Sequence, residues 1–301
     1  MPWKRWKCKG DKSMASKRTK NQKIAFAVVF VIFVLYSLYI ILPLVFAFNA
    51  SLKASGPAFN KDMVGLAFKN KGEPKFINYL TAFQELELKK VDFFGMTLNS
   101  IIYAGGSTFM GIMSSTFLAY AVSKYDFKLK NFLYSLALFV MIIPIYGSLP
   151  ANYRLLKQIN FTGSWLYLLA TAGGFGFNFI VIHSFFEGVS KEYAEAAFID
   201  GAGHFRVFFT IMLPMAMPSI TAIIVTAFIG GWNDYMTPLM YFSNLPTLSS
   251  GLWAYLEKIT YTANEPIYFA GVLISLIPVV TLFLCFQNTV MQKVYAGGLK
   301  G

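Results

Sequence analysis

The chain has 301 residues, of which 56% are hydrophobic, 18% are aromatic and only 13% are charged. Soluble domains carry roughly 25% charged residues and disordered chains are poor in aromatics, so this composition excludes both classes and indicates a membrane protein. The formal net charge is +12, and nine of the lysines and arginines lie in residues 1–23, just before the first apolar run. That placement is typical of a membrane flank, so we expect no nucleic-acid partner.

Six apolar stretches are each long enough to cross a bilayer, which takes about 20 residues. They cover residues 24–49, 97–123, 131–152, 163–186, 211–236 and 266–290. Asp234 is the only Asp, Glu, Lys or Arg in all six stretches. Because a charged side chain costs about 3 kcal/mol or more at the bilayer centre, this pattern favours spanning helices. We predict an all-α integral membrane protein with six transmembrane helices.

The charge pattern also predicts the topology and the domain organisation. Residues 1–23 form a basic tail, which the positive-inside rule places in the cytoplasm. The run 24–49 is longer than a signal-peptide core, so we interpret it as a retained first helix. An extracytoplasmic loop follows over 50–94, then a transmembrane domain over 95–290. Six crossings return the tail 291–301 to the cytoplasm.

Ser, His and Asp occur in the sequence, but none has a spacing that is typical of catalysis or cofactor binding. There is no Gly-x4-Gly-Lys-Ser/Thr phosphate loop, so ATP hydrolysis is not expected on this chain. Cys8 and Cys285 form no disulfide framework, and the two histidines, His183 and His204, belong to no Cys/His cluster. We therefore predict no catalytic residue, no metal and no cofactor.

Residues 190–214, here called the finger, are predicted to fold as helix–turn–helix. Ser190 can cap the first helix, Gly201 can supply a left-handed turn, and the second helix would begin near Gly203. Four residues of the first helix share one face, because they follow the i, i+3, i+4 spacing. Two of them are alanines, whose small side chains would let another protein approach the helix closely. The four residues are Tyr193, Ala196, Ala197 and Asp200. From the residues alone, an amphipathic helix lying on the membrane is the alternative.

The finger resembles the EAA loop of the permease subunits of ABC importers. That loop reads Glu-Ala-Ala, three residues, Gly, nine residues and Ile-x-Leu-Pro. The matching positions are Glu195, Ala196, Ala197, Gly201, Ile211, Leu213 and Pro214. The resemblance implies a type I importer bundle in which this loop docks on the ATPase subunit. The residues expected to make that coupling contact are Glu195, Ala196, Ala197, Asp200, Gly201 and Gly203.

The likeness extends over roughly residues 95–301. Asn99-Ser100 resembles the start of the family's second span, and the segment 120–127 resembles the family's cytoplasmic turn. The final residues resemble the tail of the MalG-like subunit of maltose-type importers, which implies an ATPase contact; a flexible tail is the alternative. The tail residues expected at that contact are Gly297, Gly298, Lys300 and Gly301.

A tetrapeptide near the end of the fifth span resembles a sequence common in sugar-importer permeases. Its residues are Trp232, Asn233, Asp234 and Tyr235. Aromatic faces and hydrogen-bonding side chains suit sugars, so we state a sugar contact as a hypothesis. An interfacial aromatic belt with a solvated acid is the alternative.

These features together predict one half of the translocation pathway of an ATP-driven sugar importer in the cell membrane. The resemblance implies a second permease, two ATPase subunits and an extracytoplasmic binding protein as partners. A permease for another solute, such as an amino acid, a polyamine or phosphate, is the alternative within the class. A stand-alone channel or secondary carrier is the alternative outside it, although the sequence has no internal repeat. A membrane-embedded enzyme ranks third.

Overall fold

The computed structural model describes residues 19–68, 74–143, 148–242, 244–262 and 264–297. These residues are almost entirely helical, and they contain no strand beyond a single bridge between Leu88 and Val91. In chain order the helices are α1 Lys20–Ser51, α2 Pro57–Lys61, α3 Ile77–Glu85, α4 Phe93–Lys124, α5 Lys130–Ile142, α6 Ser148–Gln158, α7 Tyr167–Ala170, α8 Phe177–Gly188, α9 Glu192–Ile199, α10 His204–Val207, α11 Leu213–Asn233, α12 Met236–Tyr241, α13 Leu248–Thr262 and α14 Glu265–Gly297. The all-α prediction is confirmed.

Within the described residues, four helical stretches are long and apolar enough to cross a membrane. They are Lys20–Ser51, Phe93–Lys124, His204–Asn233 and Glu265–Asn288. They coincide with the first, second, fifth and sixth predicted spans. The third of them runs from α10 into α11 through a π-helical turn at Phe208–Met212.

The third and fourth predicted spans, 131–152 and 163–186, are not continuous helices. The first is divided between α5 and α6, and its Pro144 lies outside the described residues. The second is divided between α7 and α8, where Gly176 adopts φ +146, a conformation that favours glycine and interrupts a helix. Because α5 has 13 residues, it is only about 20 Å long. The count of six transmembrane helices therefore stays a prediction.

The chain divides into two compact units, Met1–Ala47 and Phe48–Gly301. The described part of the first unit is the apolar N-terminal part of α1, whose side chains are exposed on every side from Ile24 to Val45. A helix that is apolar all round is typical of a membrane span.

In the second unit, α4 packs along both α8 and α11. At Gly231 a Cβ atom would lie 3.1 Å from Ala104 Cα, so α11 approaches α4 as closely as small residues allow. Asn99 Nδ2 donates to Pro246 O at 2.9 Å, and the Leu248 amide donates to Ser100 Oγ at 2.7 Å. The Asn99-Ser100 pair therefore fastens the start of α4 to the start of α13.

The described part of the 50–94 loop is folded. Asn78 is buried, and its side-chain amide donates to the carbonyls of Ser51 and Lys53 at 2.7 and 2.8 Å. The hydroxyls of Ser51 and Tyr79 share a hydrogen bond of 2.8 Å. Helix α3, which carries Asn78 and Tyr79, also packs on α14. The described part of the loop therefore packs against the ends of the long helices and is not a free linker.

Candidate functional site

The first helix of the finger, α9, ends in the glycine turn that the sequence predicts. Gly201 has φ +79, which lies in the left-handed region. The Gly201 amide donates to Phe198 O at 3.0 Å, and the Ala202 amide donates to Ala197 O at 2.9 Å. This pair of hydrogen bonds is the Schellman arrangement, which satisfies carbonyls left open at a helix end. The finger therefore has a defined bend.

The start of α9 is also close to its predicted position. The Glu192 amide donates to Ser190 Oγ at 3.2 Å, although the capping position itself is Lys191. Glu192 and Glu195 lie in the first turn, where a carboxylate interacts favourably with the helix dipole. Both carboxylates are exposed, so this end of the finger presents negative charge to solvent.

The expected coupling residues lie on an open surface. Glu195, Ala196, Asp200, Gly201 and Gly203 are exposed, and Ala197 is half-buried. On the other side of α9, Ala194 is buried against the bundle core. Ala196 lies on the outer face, as the sequence predicts, whereas Ala197 packs partly against the same core as Ala194, which the sequence pattern did not mark.

Two apolar side chains that the sequence analysis did not select project at the tip of the finger. Ile199 is 87% exposed and Phe205 is 77% exposed. They flank the Gly201 turn, one from each helix of the finger. They are the most exposed large apolar side chains of the finger.

The finger rests on the end of α4. The Lys124 ammonium donates to Val189 O, just before the finger begins. Lys191 Nζ lies 3.4 Å from Asp126 Oδ2, and the Lys191 ammonium, followed by Lys130, holds the pKa of the Asp126 carboxyl below its ordinary value. The 120–127 segment and the finger, which the sequence analysis identified separately, are therefore in contact.

The second half of the finger anchors it in the core. Phe208 and Met212, in the π-helical turn, are buried, and the Phe208 ring stacks on Phe117 of α4 at 4.7 Å. The Leu213 amide donates to Phe208 O, one residue further back than in an α-helix. Pro214 cannot donate to the carbonyl four residues earlier, so a wider turn at this point avoids a conflict with its ring.

The tetrapeptide 232–235 has structural contacts. Trp232 is buried, and its Nε1 donates to Ser275 O at 3.2 Å. Asp234 accepts hydrogen bonds from the Tyr103 hydroxyl at 2.7 Å and from the Thr237 amide at 3.0 Å.

The other two residues of this tetrapeptide are less buried. Asn233 is exposed, and its one side-chain hydrogen bond within the described residues is to its own helix, at Ile229 O, 3.0 Å away. Tyr235 is half-buried and stacks on Trp253 with ring centres 4.4 Å apart. The contacts of Trp232 and Asp234 therefore hold helices together, and Asn233 is the member with a free outer face.

A groove of about 300 Å³ runs between α4 and α11. Its lining is apolar except for the hydroxyls of Thr108 and Thr116, and Thr116 Oγ1 already donates to Ile112 O at 2.7 Å. Such a lining suits contact with another helix or with lipid better than contact with a sugar.

The tail positions lie at or beyond the end of the described structure. Gly297 is the last residue of α14, and Gly298, Lys300 and Gly301 are outside the described residues. Within the part of the chain that the structure describes, no group of three or more His, Cys, Asp or Glu side chains is placed to hold a metal ion. The expectation of no metal and no cofactor stays a prediction.

Comparison with known proteins agrees with this architecture. The chain is 27% identical over 267 residues to the diacetylchitobiose uptake system permease protein NgcG of Streptomyces coelicolor, covering 86% of this chain and 83% of that protein. It is 28% identical over 232 residues to the sulfoquinovosyl glycerol transport system permease protein SmoH of Agrobacterium fabrum, covering 76% and 79%. A crystal structure of a bacterial ABC transporter involved in alginate import matches the fold with a TM-score of 0.72 at 20% identity, over 90% of this chain and 98% of that one.

Residues 111–294, more than half of the chain, match the family described as binding-protein-dependent transport system inner membrane component. This match covers the finger, α11, residues 111–124 of α4 and most of α14. It confirms the predictions of a permease of the ABC importer class, of a multi-pass membrane location and of a transport role in place of an enzymatic one. The chain belongs to the family of inner-membrane components of binding-protein-dependent transport systems.

Proposed function

We propose that this chain forms half of the translocation pathway for a sugar or oligosaccharide in an ABC importer. The observation that carries the proposal is the exposed finger with its Glu-Ala-Ala and glycine turn at the expected spacing. The cargo class is supported by the named cargoes of the two relatives, diacetylchitobiose and sulfoquinovosyl glycerol.

The finger supplies the contact to the ATPase in this proposal. Ala196 has no side chain beyond Cβ, so a partner surface can approach the α9 backbone closely. Ile199 and Phe205 offer apolar area, and the carboxylate of Glu195 offers charge. ATP binding on the partner would shift this finger between two positions and so bias the bundle between two states.

The finer assignments of partners and sides belong to the same proposal. A second permease completes the pathway, two ATPase subunits drive it, and an extracytoplasmic binding protein delivers the cargo. The basic segment 1–23 supports cytoplasmic termini. The tail residues Gly297, Gly298, Lys300 and Gly301 would then lie on the ATPase side, as the family resemblance suggests.

Charge reversal at Glu195 tests the ATPase contact. We expect the Glu195→Lys variant to insert into the membrane normally but to lose most of the co-purifying ATPase, because the substitution reverses the charge of the glutamate in the Glu-Ala-Ala motif. Glu192→Lys is the matched control: it is exposed in the same first turn and has the same effect on the helix dipole, of about 0.3–1 kcal/mol. Equal ATPase recovery with both variants would contradict the proposed contact.

The sugar contact of the 232–235 tetrapeptide is tested at Asn233. Since Asn233 is exposed and its side chain donates to Ile229 O of its own helix, Asn233→Ala removes no hydrogen bond between helices within the described residues. We expect a KM for sugar uptake raised several-fold with a normal amount of inserted protein. Uptake kinetics identical to those of the native chain would remove Asn233 from the substrate pathway.

A further inference from the structure

The first helix of the finger is held at its N-terminal side by the end of α4. The Lys124 ammonium donates to the Val189 carbonyl, and Lys191 Nζ lies 3.4 Å from Asp126 Oδ2. Val189 and Lys191 immediately precede α9. These polar contacts have fixed directions, so they set where α9 begins relative to α4.

The finger is also held beyond its glycine turn. The Tyr125 hydroxyl and His204 Nδ1 share a hydrogen bond of 2.8 Å, and their rings lie 5.5 Å apart. The Phe198 ring of α9 also packs on His204, with ring centres 4.8 Å apart. Because residues 124–126 contact the chain both before and after α9, both ends of that helix are restrained by one short segment.

Apolar packing supports this arrangement. Ala194 is buried beneath α9, and the Tyr120 ring of α4 lies 5.5 Å from Phe186 and 5.0 Å from Phe208. Apolar contacts are not directional, so they bring the surfaces together without fixing the angle of the finger. The polar contacts of residues 124–126 determine the angle between the finger and α4.

We propose that Tyr125 and Asp126 are positioning residues that fasten the finger to α4, so that a displacement of the finger is delivered to α4 as one body. The inference rests on the proposed function, since it takes the finger as the ATPase contact. The inference adds that the movement of the finger is transmitted to the helix bundle through α4. Helix α4 packs along both α8 and α11, and it forms one wall of the apolar groove. Displacing α4 therefore changes the packing of the whole second unit.

Charge exchange between Asp126 and Lys191 tests the fastening. Lys130 also pairs with Asp126, at 3.5 Å, but within the same stretch of chain. All variants are therefore built on Lys130→Gln, which breaks no contact to the finger and is itself the control. The variants are Asp126→Lys, Lys191→Asp and the exchange of both. Each is made in an affinity-tagged chain that is purified from its host as the complete importer and reconstituted in liposomes.

The readouts are ATPase subunit recovered per permease and sugar moved per ATP hydrolysed. We expect Asp126→Lys and Lys191→Asp to keep the ATPase subunit and to lower the transport ratio roughly fivefold, the upper range for one exposed ion pair. The double exchange should return the ratio to within about twofold of the Lys130→Gln control. A defect that comes from either side chain alone, and not from their pairing, would not be restored by exchanging the two charges.

Tyr125→Phe provides a second variant that keeps the ring and removes only the hydroxyl. It should retain the ATPase subunit and also lower the transport ratio. An unchanged ratio in Asp126→Lys, a double exchange that stays defective, or loss of the ATPase subunit from the single variants would each overturn the fastening role. A native importer that purifies without an ATPase would instead refute the proposed function, and that result appears before any variant is made.

Discussion

At the scale of single residues, Gly201 decides the shape of the finger. Its φ of +79 is costly for any residue with a Cβ atom, whereas Gly203, two residues later, has φ −74. Neither glycine has another heavy atom within 4 Å of its would-be Cβ. The two positions therefore differ in backbone conformation and not in available space.

This difference predicts opposite results for two alanine substitutions. Gly201→Ala should destabilise the finger turn by about 1 kcal/mol or more, because the left-handed conformation disfavours a side chain. Gly203→Ala should be neutral or slightly stabilising. Hydrogen exchange of the Ala202 amide, which bonds to Ala197 O, measures the effect: exchange should quicken roughly fivefold in the first variant only. Equal exchange in both would refute the conformational account.

Residue roles that depend on distant parts of the chain were beyond sequence reasoning. Asp234 is the one acid in a predicted span, and its contact with sugar stays a prediction. In the structure it accepts a hydrogen bond from Tyr103, 131 positions earlier in the chain. No local pattern marks such a pair. Gly201, by contrast, could be predicted because the turn it forms depends only on its immediate neighbours.

At the scale of elements, the apolar runs of the sequence indicate where four long helices lie, but they do not indicate which runs form one continuous helix. The runs 131–152 and 163–186 contain no Asp, Glu, Lys or Arg, yet each is divided into two helices. Apolar composition favours burial in lipid but does not require a continuous helix. Glycine conformation interrupts the second of these runs at Gly176. The π-helical turn before Pro214 likewise follows from backbone hydrogen bonding, which an apolar count does not register.

The contact between the finger and α4 has a definite pH dependence. Lys191, followed by Lys130, lowers the pKa of Asp126 from its ordinary 3.8, so the ion pair is fully formed above pH 3.8 and is lost only as pH falls through the lowered value. We expect the difference in finger hydrogen exchange between the native chain and Asp126→Asn to stay constant from about pH 8 to about pH 5. A difference that already disappears at about pH 5 would contradict this ion pair.

At the scale of the whole molecule, the second unit is organised around α4. Its lower half, near Tyr120, packs with α8 and the finger, and its upper half, near Met96, packs with α13 and α14. The family and the all-α class could be predicted from the sequence, because composition and the Glu-Ala-Ala spacing are properties of the chain itself. The central place of α4 could not, because it arises from contacts among helices that are far apart in sequence.

The central claim is that this chain transports cargo only as part of an ATP-driven assembly. The most direct test is to purify the tagged native chain from its host in mild detergent, identify the bound proteins by mass spectrometry, and measure uptake of radiolabelled oligosaccharides in liposomes. The account predicts a second permease, ATPase subunits and uptake that requires ATP. A chain that purifies alone and moves solute without ATP would contradict it and identify a stand-alone carrier.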